Sequence, residues 1–472
     1  MVTIHAIRRG LIALVWAAAM SFAASAAAED LPETAAGKVL QARLQAFDSG
    51  SAEQLAQYRA RHEPRVDIEP ALAFHRQMGG FDVLKVESSE PHTITALIRA
   101  RNSDSTGRIT LTVKADTPEQ VASLRMQPAN DVPAEFMPAR LDLASALAGV
   151  QERATAVAER QQFSGNLLIA RGGNTLLARS WGLADHEAGR ANDSKTSFRI
   201  ASMFKMFTAV AVLQLVDAGK LDLDAALATY LPDYPNRGLA TQVTIRHLLT
   251  HSGGTGDIFT PEYSARREQV REHQDYLDLF GQRAPEFTPG SATRYSNYGY
   301  ILLGAIIEQV SGRSYYDYLQ AEVFAPAGMT ASGALPEHQA PAQLAVGYTM
   351  KDGRLQSNLD SVPWRGTAGG GGYSTTGDLL RFVQALQDGR LMSAERLAQA
   401  TQAQNADGWY GFGFTIGGEG RLRWFGHDGG ADGMSASLRV YPELGYVLVG
   451  LANADPPAAE GLTEYFSNRM PL

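Results

Sequence analysis

The stretch FRIASMFKMFTAVAVLQLVDAGK, residues 198–220, is nearly continuous in apolar residues, with one serine and one lysine near its start. Its central part contains only two clearly polar side chains, which predicts a helix that is buried on most of its faces. Removing the ammonium group of Lys205 from water costs several kcal/mol unless that group is paired or hydrogen-bonded. Lys205 therefore needs a specific partner, and Ser202 is the nearest candidate.

Ser202 and Lys205 are three residues apart, so on a helix they face the same side and the ammonium can lie against the hydroxyl. A serine hydroxyl is a poor nucleophile until a neighbouring group removes its proton, and a neutral or proton-sharing lysine can do this. The pair therefore indicates a nucleophilic serine. By itself this pattern is weak, because a capping serine beside a surface lysine gives the same spacing.

A second group of polar residues follows a Pro-Gly turn in TPGSATRYSNYGYILLGAIIEQVSG, where Tyr295 and Asn297 precede an apolar helix. Cationic or hydrogen-bonding neighbours would favour the phenolate of Tyr295 and make it a usable base. Asn297 carries both a donor and acceptors, so it can orient Lys205 and hold the carbonyl of a substrate amide or ester. Tyrosine and asparagine are also common in loops, so this motif alone is not decisive.

The third segment is FGHDGGADGMSASLRVYP, in which His427 ends a short strand and glycines follow it. Gly429 and Gly430 would leave the strand edge uncovered, so a substrate could approach and a backbone N–H could donate to an oxyanion. The alternative is a glycine-rich hairpin that carries an exposed histidine.

Other candidates are weaker. His251, in the THSGG turn, is expected to be structural, and the charged segment EYSARREQVREHQDYLDLFGQR is expected to form a solvated helical lid over the cleft. No His/Asp/Glu cluster has metal-ligand spacing, and AGGGGYSTTGD lacks the Lys-Ser/Thr pair of a phosphate loop. We therefore expect no metal and no cofactor.

The strand pattern places this chemistry in an α+β fold. SGNLLIARGG and TLLARSWGLAD precede the central helices, and WYGFGFTI, LRWFGHDG, SASLRVYP and YVLVGLAN follow them. Strands at both ends with helices between predict one antiparallel sheet flanked by helices, with a helical subdomain beside it. We place this larger domain at residues 141–472, after a Pro-rich linker at 128–140.

Residues 29–135 are expected to form a separate small α+β domain of three helices followed by four strands. Its pattern resembles that of nuclear-transport-factor-like modules. It offers no candidate catalytic residue, so a scaffold or partner-binding role is the expectation.

The first 28 residues are typical of a signal peptide. Arg8 and Arg9 precede the apolar run GLIALVWAAAMSF and the small residues ASAAAED, so cleavage near Ala26 or Ala28 is expected. The sequence does not distinguish general from twin-arginine export, and an uncleaved anchor is the alternative. A mature protein in the periplasm or medium, without stable membrane insertion, is the expectation.

Composition excludes several function classes. The 472 residues contain no cysteine, which rules out disulfides, thiol catalysis and thiolate metal sites. The net charge of −8 and the absence of a basic patch argue against a nucleic-acid partner.

Taken in order, the motifs resemble the SxxK serine hydrolases of the β-lactamase family, which includes class C β-lactamases, D-alanyl-D-alanine carboxypeptidases and related esterases. The resemblance covers about residues 145–460. It rests on the segments FRIASMFK, TIRHLLTHSGG, RYSNYGYILLGAIIEQVSG, APAGMTAS, GGGGYSTTGDLLRF and GHDGGADGMSASLRVYPELGYVLVGLANAD. It implies the class C β-lactamase and penicillin-binding-protein fold.

The resemblance also implies roles for single residues. Ser202 would be the acylated nucleophile, Lys205 its proton-relay partner, and Tyr295 the base for acylation and for activating water. Asn297 would position the lysine and the substrate carbonyl. His427 stands where the family has a cationic lysine, and the N–H groups of Ser202 and Gly430 would form the oxyanion hole.

The sequence departs from the family at its third motif, which reads His427-Asp428-Gly429 in place of Lys-Thr-Gly or His-Thr-Gly. A mostly neutral histidine followed by an acid is a poor receptor for a substrate carboxylate. The favoured interpretation is an exported esterase or peptidase acting on a small-molecule or peptide ester or amide. A D-amino-acid-specific peptidase or carboxypeptidase, a weak β-lactamase, and a penicillin-recognising or ligand-binding sensor remain alternatives.

Overall fold

The computed structural model describes residues 30–64, 67–129, 131–351 and 353–472. The signal segment predicted at residues 1–28 lies outside these residues. Among the described residues, no helix combines the length and apolar character needed to cross a bilayer.

The described chain begins with three helices and four strands. They are α1 (Ala35–Asp48), α2 (Ala52–His62), α3 (Glu69–Met78), β1 (Phe81–Ser89), β2 (Thr93–Ala100), β3 (Thr106–Val113) and β4 (Val121–Pro128). Side-chain caps explain two of the helix starts, because the hydroxyls of Thr34 and Ser51 accept hydrogen bonds from the backbone N–H groups of Gly37 and Gln54. The strands form one sheet in the order β1-β2-β3-β4. These elements confirm the predicted pattern of helices followed by a meander.

The rest of the chain contains thirteen further α-helices and twelve further strands among the described residues. The helices are α4 (Leu143–Glu159), α5 (Lys205–Asp217), α6 (Leu227–Tyr230), α7 (Arg237–Ala240), α8 (Ile245–Leu249), α9 (Pro261–Arg266), α10 (His273–Phe280), α11 (Asn297–Ser311), α12 (Tyr315–Leu319), α13 (Ala325–Ala327), α14 (Thr376–Gln387), α15 (Ala394–Ala400) and α16 (Ala458–Arg469). The strands are β5 (Gly165–Arg171), β6 (Asn174–Trp181), β7 (Leu183–Asp185), β8 (Arg190–Ala191), β9 (Phe198–Arg199), β10 (Tyr348–Lys351), β11 (Arg354–Ser357), β12 (Tyr373–Ser374), β13 (Thr415–Gly417), β14 (Trp424–Ala431), β15 (Met434–Tyr441) and β16 (Tyr446–Ala452).

Six of these strands form the main sheet, in the order β13-β14-β15-β16-β5-β6. The antiparallel pairing of β16 with β5 joins the two ends of this part of the chain, as the sequence predicts. The sheet, the helices that flank it and the helix-rich segment between β9 and β12 confirm the α+β fold class.

Two predictions at the level of elements need correction. The segment WYGFGFTI is a strand only at its end, where β13 begins at Thr415. The preceding Tyr410, Phe412 and Phe414 are buried in the core. The charged segment predicted as one solvated helix forms two short helices, α9 and α10. Tyr263, Tyr276 and Phe280 anchor them in the core, so this segment is not a simple solvated lid.

The described residues divide into two compact units whose boundaries do not follow chain order. One unit comprises the described residues of Met1–Val66 together with Phe81–Arg99 and Thr106–Phe136. The other comprises Asp67–Gly80, Ala100–Ser105 and Met137–Leu472. Within this second unit, Asp104 forms an ion pair with Arg469, and the Ser105 hydroxyl donates a 2.9 Å hydrogen bond to Glu464 on α16.

Candidate active site

Ser202 lies in a single 3-10 turn, residues Ala201–Phe204, which leads directly into α5. The residue before it, Ala201, has a φ of +43°, a left-handed conformation that costs a non-glycine residue about 1–3 kcal/mol. Ser202 is partly exposed, whereas its neighbours Ala201 and Met203 are buried. The turn therefore presents one hydroxyl at the surface of an otherwise buried segment.

Lys205 is fully buried at the start of α5, as the sequence predicts for this helix. Its Nζ lies 3.2 Å from Ser202 Oγ, 2.7 Å from Asn297 Oδ1 and 2.5 Å from the backbone oxygen of Gly369. The Gly369 oxygen belongs to the glycine-rich segment for which sequence reasoning found no role. A backbone acceptor leaves no signal in side-chain identity, so the sequence could not have indicated it.

Burial lowers the pKa of Lys205 to about 7, and the nearby charge of Asp257 opposes this shift. A neutral amine has two N–H groups and one lone pair. Asn297 Oδ1 and the Gly369 oxygen can accept both N–H groups, which directs the lone pair toward Ser202 Oγ. This arrangement suits Lys205 to take a proton from Ser202.

Tyr295 also lies beside this lysine, with its ring centroid 4.6 Å from Nζ. Burial raises the pKa of Tyr295, the Ser202 hydroxyl lowers it, and the charge of Asp257 raises it further. No described residue, Ser202 included, forms a hydrogen bond of normal geometry with the buried Tyr295 hydroxyl. The direction of the pKa shift is opposite to the phenolate that the sequence analysis expects, so Tyr295 is a neutral phenol beside the nucleophile.

Asn297 is the first residue of α11, and the side chain of Ser296 caps this helix by accepting from Gly299 N. The Asn297 Oδ1 atom accepts a hydrogen bond from Lys205, as predicted. The Asn297 Nδ2 atom donates to both carboxylate oxygens of Asp257, at 3.0 and 3.2 Å. Sequence reasoning missed Asp257. It follows the THSGG turn with no fixed spacing to the other site residues, so only the path of the loop brings it here.

The edge of β14 passes beside the nucleophile. Strand β13 pairs only with Trp424–Gly426, so the following residues of β14 have a strand neighbour on one side alone, β15. A Cβ atom at Gly429 would lie 2.1 Å from the backbone oxygen of Ile200, so only glycine allows this close approach. Gly430 is exposed at this edge. Its oxyanion role remains a prediction.

His427 is 3% exposed, which excludes the alternative of an exposed histidine on a hairpin. Burial first, then the charge of Lys205, lowers its pKa to about 3, so the ring is neutral. Nδ1 donates to the Asp428 backbone oxygen at 2.5 Å, and Nε2 lies 3.0 Å from the hydroxyl of Tyr410. In this structure the ring is held by the protein, and direct substrate contact by His427 remains a prediction.

The side chain of Asp428 lies on the opposite face of the sheet from its neighbours in β14. Along a strand the side chains alternate between faces, and Gly429 faces the nucleophile segment. The charge of Asp428 instead acts on Arg439 of β15 and on Glu460 and Glu464 of α16. The sequence analysis grouped Asp428 with His427 as a determinant of substrate charge. The structure corrects this, because the carboxylate belongs to a buried cluster with Arg439 behind the sheet.

His251 supports the site from behind. It is fully buried with a φ of +59°, and its Nδ1 accepts a 3.2 Å hydrogen bond from the backbone of Ser296. Its ring lies 4.2 Å from that of Tyr295 and 4.6 Å from that of Tyr410. These contacts agree with the structural role expected for His251.

Within the part of the chain that the structure describes, no group of three or more His, Cys, Asp or Glu residues could hold a metal ion. The groups assembled around Ser202 are a weakly basic buried lysine, a neutral tyrosine and an asparagine held by a carboxylate. This is the composition of a site for nucleophilic catalysis by serine.

The comparison with known proteins agrees with this class. The chain belongs to the Beta-lactamase family, whose profile matches residues 150–467. It is 31% identical over 325 residues to penicillin-binding protein 4* of Bacillus subtilis (strain 168), covering 63% of this chain and 69% of that one. It is also 31% identical over 302 residues to esterase EstB of Burkholderia gladioli, covering 55% and 76%.

Among solved structures, the D-amino acid amidase of Ochrobactrum anthropi SV3 in complex with L-phenylalanine amide matches with a TM-score of 0.59 and 27% identity. The match covers 69% of this chain and 97% of the amidase. Together, the family and these relatives support a hydrolase.

Proposed function

We propose that the protein is an exported serine hydrolase that cleaves esters or amides through an acyl-enzyme on Ser202. The observation that carries this proposal is the geometry of Lys205. A buried lysine with a pKa near 7 has two acceptors for its N–H groups and Ser202 Oγ at 3.2 Å for its lone pair. Burial alone favours the neutral form of any lysine, so the contact with the Ser202 hydroxyl is what distinguishes Lys205 from a structural lysine.

In the first half of the reaction, neutral Lys205 accepts the proton of Ser202 as Oγ attacks the substrate carbonyl. The oxyanion that forms would be held by the backbone N–H groups of Ser202 and Gly430. Collapse of the tetrahedral intermediate breaks the bond to the leaving alcohol or amine, which takes the proton from Lys205, directly or through the Tyr295 hydroxyl. Because the pKa of Tyr295 is raised, we assign it proton relay and not storage of a negative charge.

In the second half, a water molecule attacks the acyl carbonyl, and Lys205 accepts the proton of that water. Ser202 Oγ leaves and is reprotonated, which releases the carboxylic acid and restores the starting state. Asp257 and Asn297 act throughout by holding Lys205 in place.

Intact-mass spectrometry after addition of a slowly turned-over ester tests the central step. We expect an adduct with the mass of the acyl group, and we expect Ser202→Ala to remove it. Lys205→Ala should retain Ser202 but acylate on the order of 10²–10⁴ times more slowly. An adduct that persists in Ser202→Ala would overturn the assignment of the nucleophile.

A D-amino-acid amidase or peptidase is the second candidate, favoured by the similarity to the Ochrobactrum anthropi amidase. Efficient β-lactam hydrolysis is less favoured, because the neutral His427 supplies no cation for a substrate carboxylate. A side-by-side panel of acyl esters, D-amino-acid amides and a chromogenic cephalosporin would rank the three activities.

Export is the remaining part of the proposal, and it rests on the signal-like composition of residues 1–28. Sequencing the N-terminus of the protein recovered from a periplasmic fraction or from the medium should show cleavage near Ala26 or Ala28. An intact N-terminus on cytoplasmic protein would contradict export.

A further inference from the structure

Asp257 is an acidic side chain in contact with the catalytic residues. Its carboxylate accepts two hydrogen bonds from Asn297 Nδ2 and one, of 2.7 Å, from the backbone of Ile258. A carboxylate offers about four acceptor positions, so at least one is unused. The residue is only partly buried, and in the described parts of the chain no lysine, arginine or histidine forms an ion pair with it.

The guanidinium of Arg283, which contacts this residue, is committed elsewhere. Arg283 donates a 2.7 Å hydrogen bond to the backbone oxygen of Asp257, not to its carboxylate, and it lies 3.9 Å from the carboxylate of Glu262. The charge of Asp257 is therefore left without a direct partner at the catalytic centre.

The other ionisable groups at this centre do not offset that charge. Burial lowers the pKa of His251 well below its ordinary value and that of His427 to about 3, so both rings are neutral. Burial also lowers the pKa of Lys205 to about 7, and this residue must be neutral to act as a base. When the site is ready to react, Asp257 is therefore the charged side chain in hydrogen-bond contact with its catalytic residues.

The charge of Asp257 reaches the reacting atoms. It raises the pKa of Lys205, whose Nζ lies 3.2 Å from Ser202 Oγ, and that of Tyr295, whose ring lies beside this lysine. An acyl carbonyl attacked by Ser202 must lie within the same small volume. A cation attached next to that carbonyl would therefore be attracted by the negative charge of Asp257.

We propose that Asp257 selects substrates that carry an ammonium group beside the scissile carbonyl, that is, aminoacyl esters or amides with a free α-amine. This inference rests on the proposed function, because it names the substrate class of the same Ser202 site. The order of preference should be cationic, then neutral, then anionic substrates. The unpaired carboxylate that holds Asn297 would thus have a second role in recognition.

The test compares three p-nitroanilides of one amino acid at pH 7: the free α-amine, the N-acetyl derivative and the N-succinyl derivative. We expect kcat/KM of the intact enzyme to favour the free amine over the N-acetyl compound by roughly ten- to a hundredfold. Asp257→Asn should reduce this ratio to within a few-fold. Each variant is described by the ratio of its kcat/KM values for two substrates. Any general loss of activity that arises through Asn297 and Lys205 therefore cancels.

Two further variants serve as controls. Asp388→Asn removes one negative charge from an exposed site at the end of α14, where Asp388 pairs with Arg390, and it should keep the wild-type ratio. Asp257→Glu retains the charge but displaces Asn297, so it should lose overall rate while keeping a preference for the cation. This variant also keeps the test informative if Asp257→Asn fails to fold.

A second pair of substrates removes the titration of the amine. The p-nitrophenyl ester of trimethylglycine is permanently cationic, and that of 3,3-dimethylbutyric acid is its uncharged carbon isostere. The intrinsic reactivity difference of this pair cancels when the wild-type ratio is divided by the Asp257→Asn ratio. We expect the quotient to exceed about five.

Equal losses on all substrates in Asp257→Asn, or a wild-type preference for neutral or anionic substrates, would overturn the inference. Such a result would leave the proposed function intact as long as a neutral ester still acylates Ser202. If no substrate of any charge forms an adduct on Ser202, the proposed function itself fails. The two failures are therefore distinguishable in the same set of samples.

Discussion

At the scale of single residues, the ionisation of Lys205 should set the pH dependence of the reaction. With a pKa of about 7 this lysine is neutral above that pH and protonated below it, where it can no longer accept the Ser202 proton. We expect kcat/KM for a neutral ester to fall about tenfold per pH unit below about pH 7. The pKa of His427, about 3, lies too low to produce this decrease in kcat/KM, which forms the acidic limb of the pH profile.

Asp257 provides the check on this assignment. Its charge raises the pKa of Lys205, so Asp257→Asn should move the acidic limb to lower pH, whereas Asp388→Asn should leave it in place. The measurement is a pH profile of kcat/KM on one uncharged ester for all three proteins. A limb that stays fixed or moves upward in Asp257→Asn would assign the titration to another group.

Helical spacing was enough to predict that Ser202 and Lys205 come together, and the resemblance to the β-lactamase family implied that Tyr295 and Asn297 join them. Asp257 and the backbone oxygen of Gly369 could not be predicted in this way. Both reach Asn297 or Lys205 through the path of a loop, and neither position has a pattern that periodicity can reveal. The raised pKa of Tyr295 depends on burial, which a single sequence does not give.

At the scale of elements, the contact between β14 and the nucleophile turn fixes where a substrate can lie. A Cβ atom at Gly429 would meet the Ile200 oxygen at 2.1 Å, so Gly429→Ala should push the strand away from Ser202. We expect a loss of about 1–3 kcal/mol in the free energy of unfolding and a large loss of activity. Chemical denaturation and ester hydrolysis measure the two effects.

Gly461 on α16 gives the matched control, because a Cβ there would meet no atom within 4 Å. Gly461→Ala should keep full activity and stabilise the helix by about 0.5–1 kcal/mol. Wild-type activity in Gly429→Ala would show that β14 can move without disturbing the site.

The buried acidic cluster behind β14 gives a second prediction at this scale. Burial, and then the charge of Asp428, raises the pKa of Glu460 to about 8. Because the folded-state pKa is raised, the stability contributed by protonated Glu460 is present below its ordinary pKa of 4.5 and is lost as pH rises through about 8. The free energy of unfolding should therefore decrease by up to roughly a few kcal/mol between pH 5 and pH 8.

Urea unfolding at several pH values tests this, with Glu460→Gln and the exposed Glu443→Gln as a pair. Glu460→Gln should flatten the decrease in stability, while Glu443→Gln should show the wild-type slope. An unchanged slope in Glu460→Gln would mean that this carboxyl group stays ionised in the folded protein. The sequence could not predict this cluster, because it forms from strands and a helix that only the tertiary fold brings together.

At the scale of the whole molecule, the question is how much of the chain the chemistry needs. Every catalytic and substrate-binding candidate lies between Ser202 and Gly430, and the family match begins only at residue 150. A protein that begins near Leu141 should therefore keep activity on a small ester within a few-fold of the full chain. The helices and strands before residue 130 were predictable from periodicity, but their division between the two units was not.

The same truncation should cost stability, because residues before Leu141 contribute partners to the second unit. It removes Asp104, which pairs with the poorly exposed Arg469, and Ser105, which binds Glu464. Asp104→Asn in the full chain removes only the ion pair and serves as the matched control. We expect a melting temperature that is lowest in the truncation and intermediate in Asp104→Asn, with kcat/KM nearly constant across the series. A truncated protein that is soluble and folded but inactive would show instead that the segments before Leu141 are needed to hold the active site together.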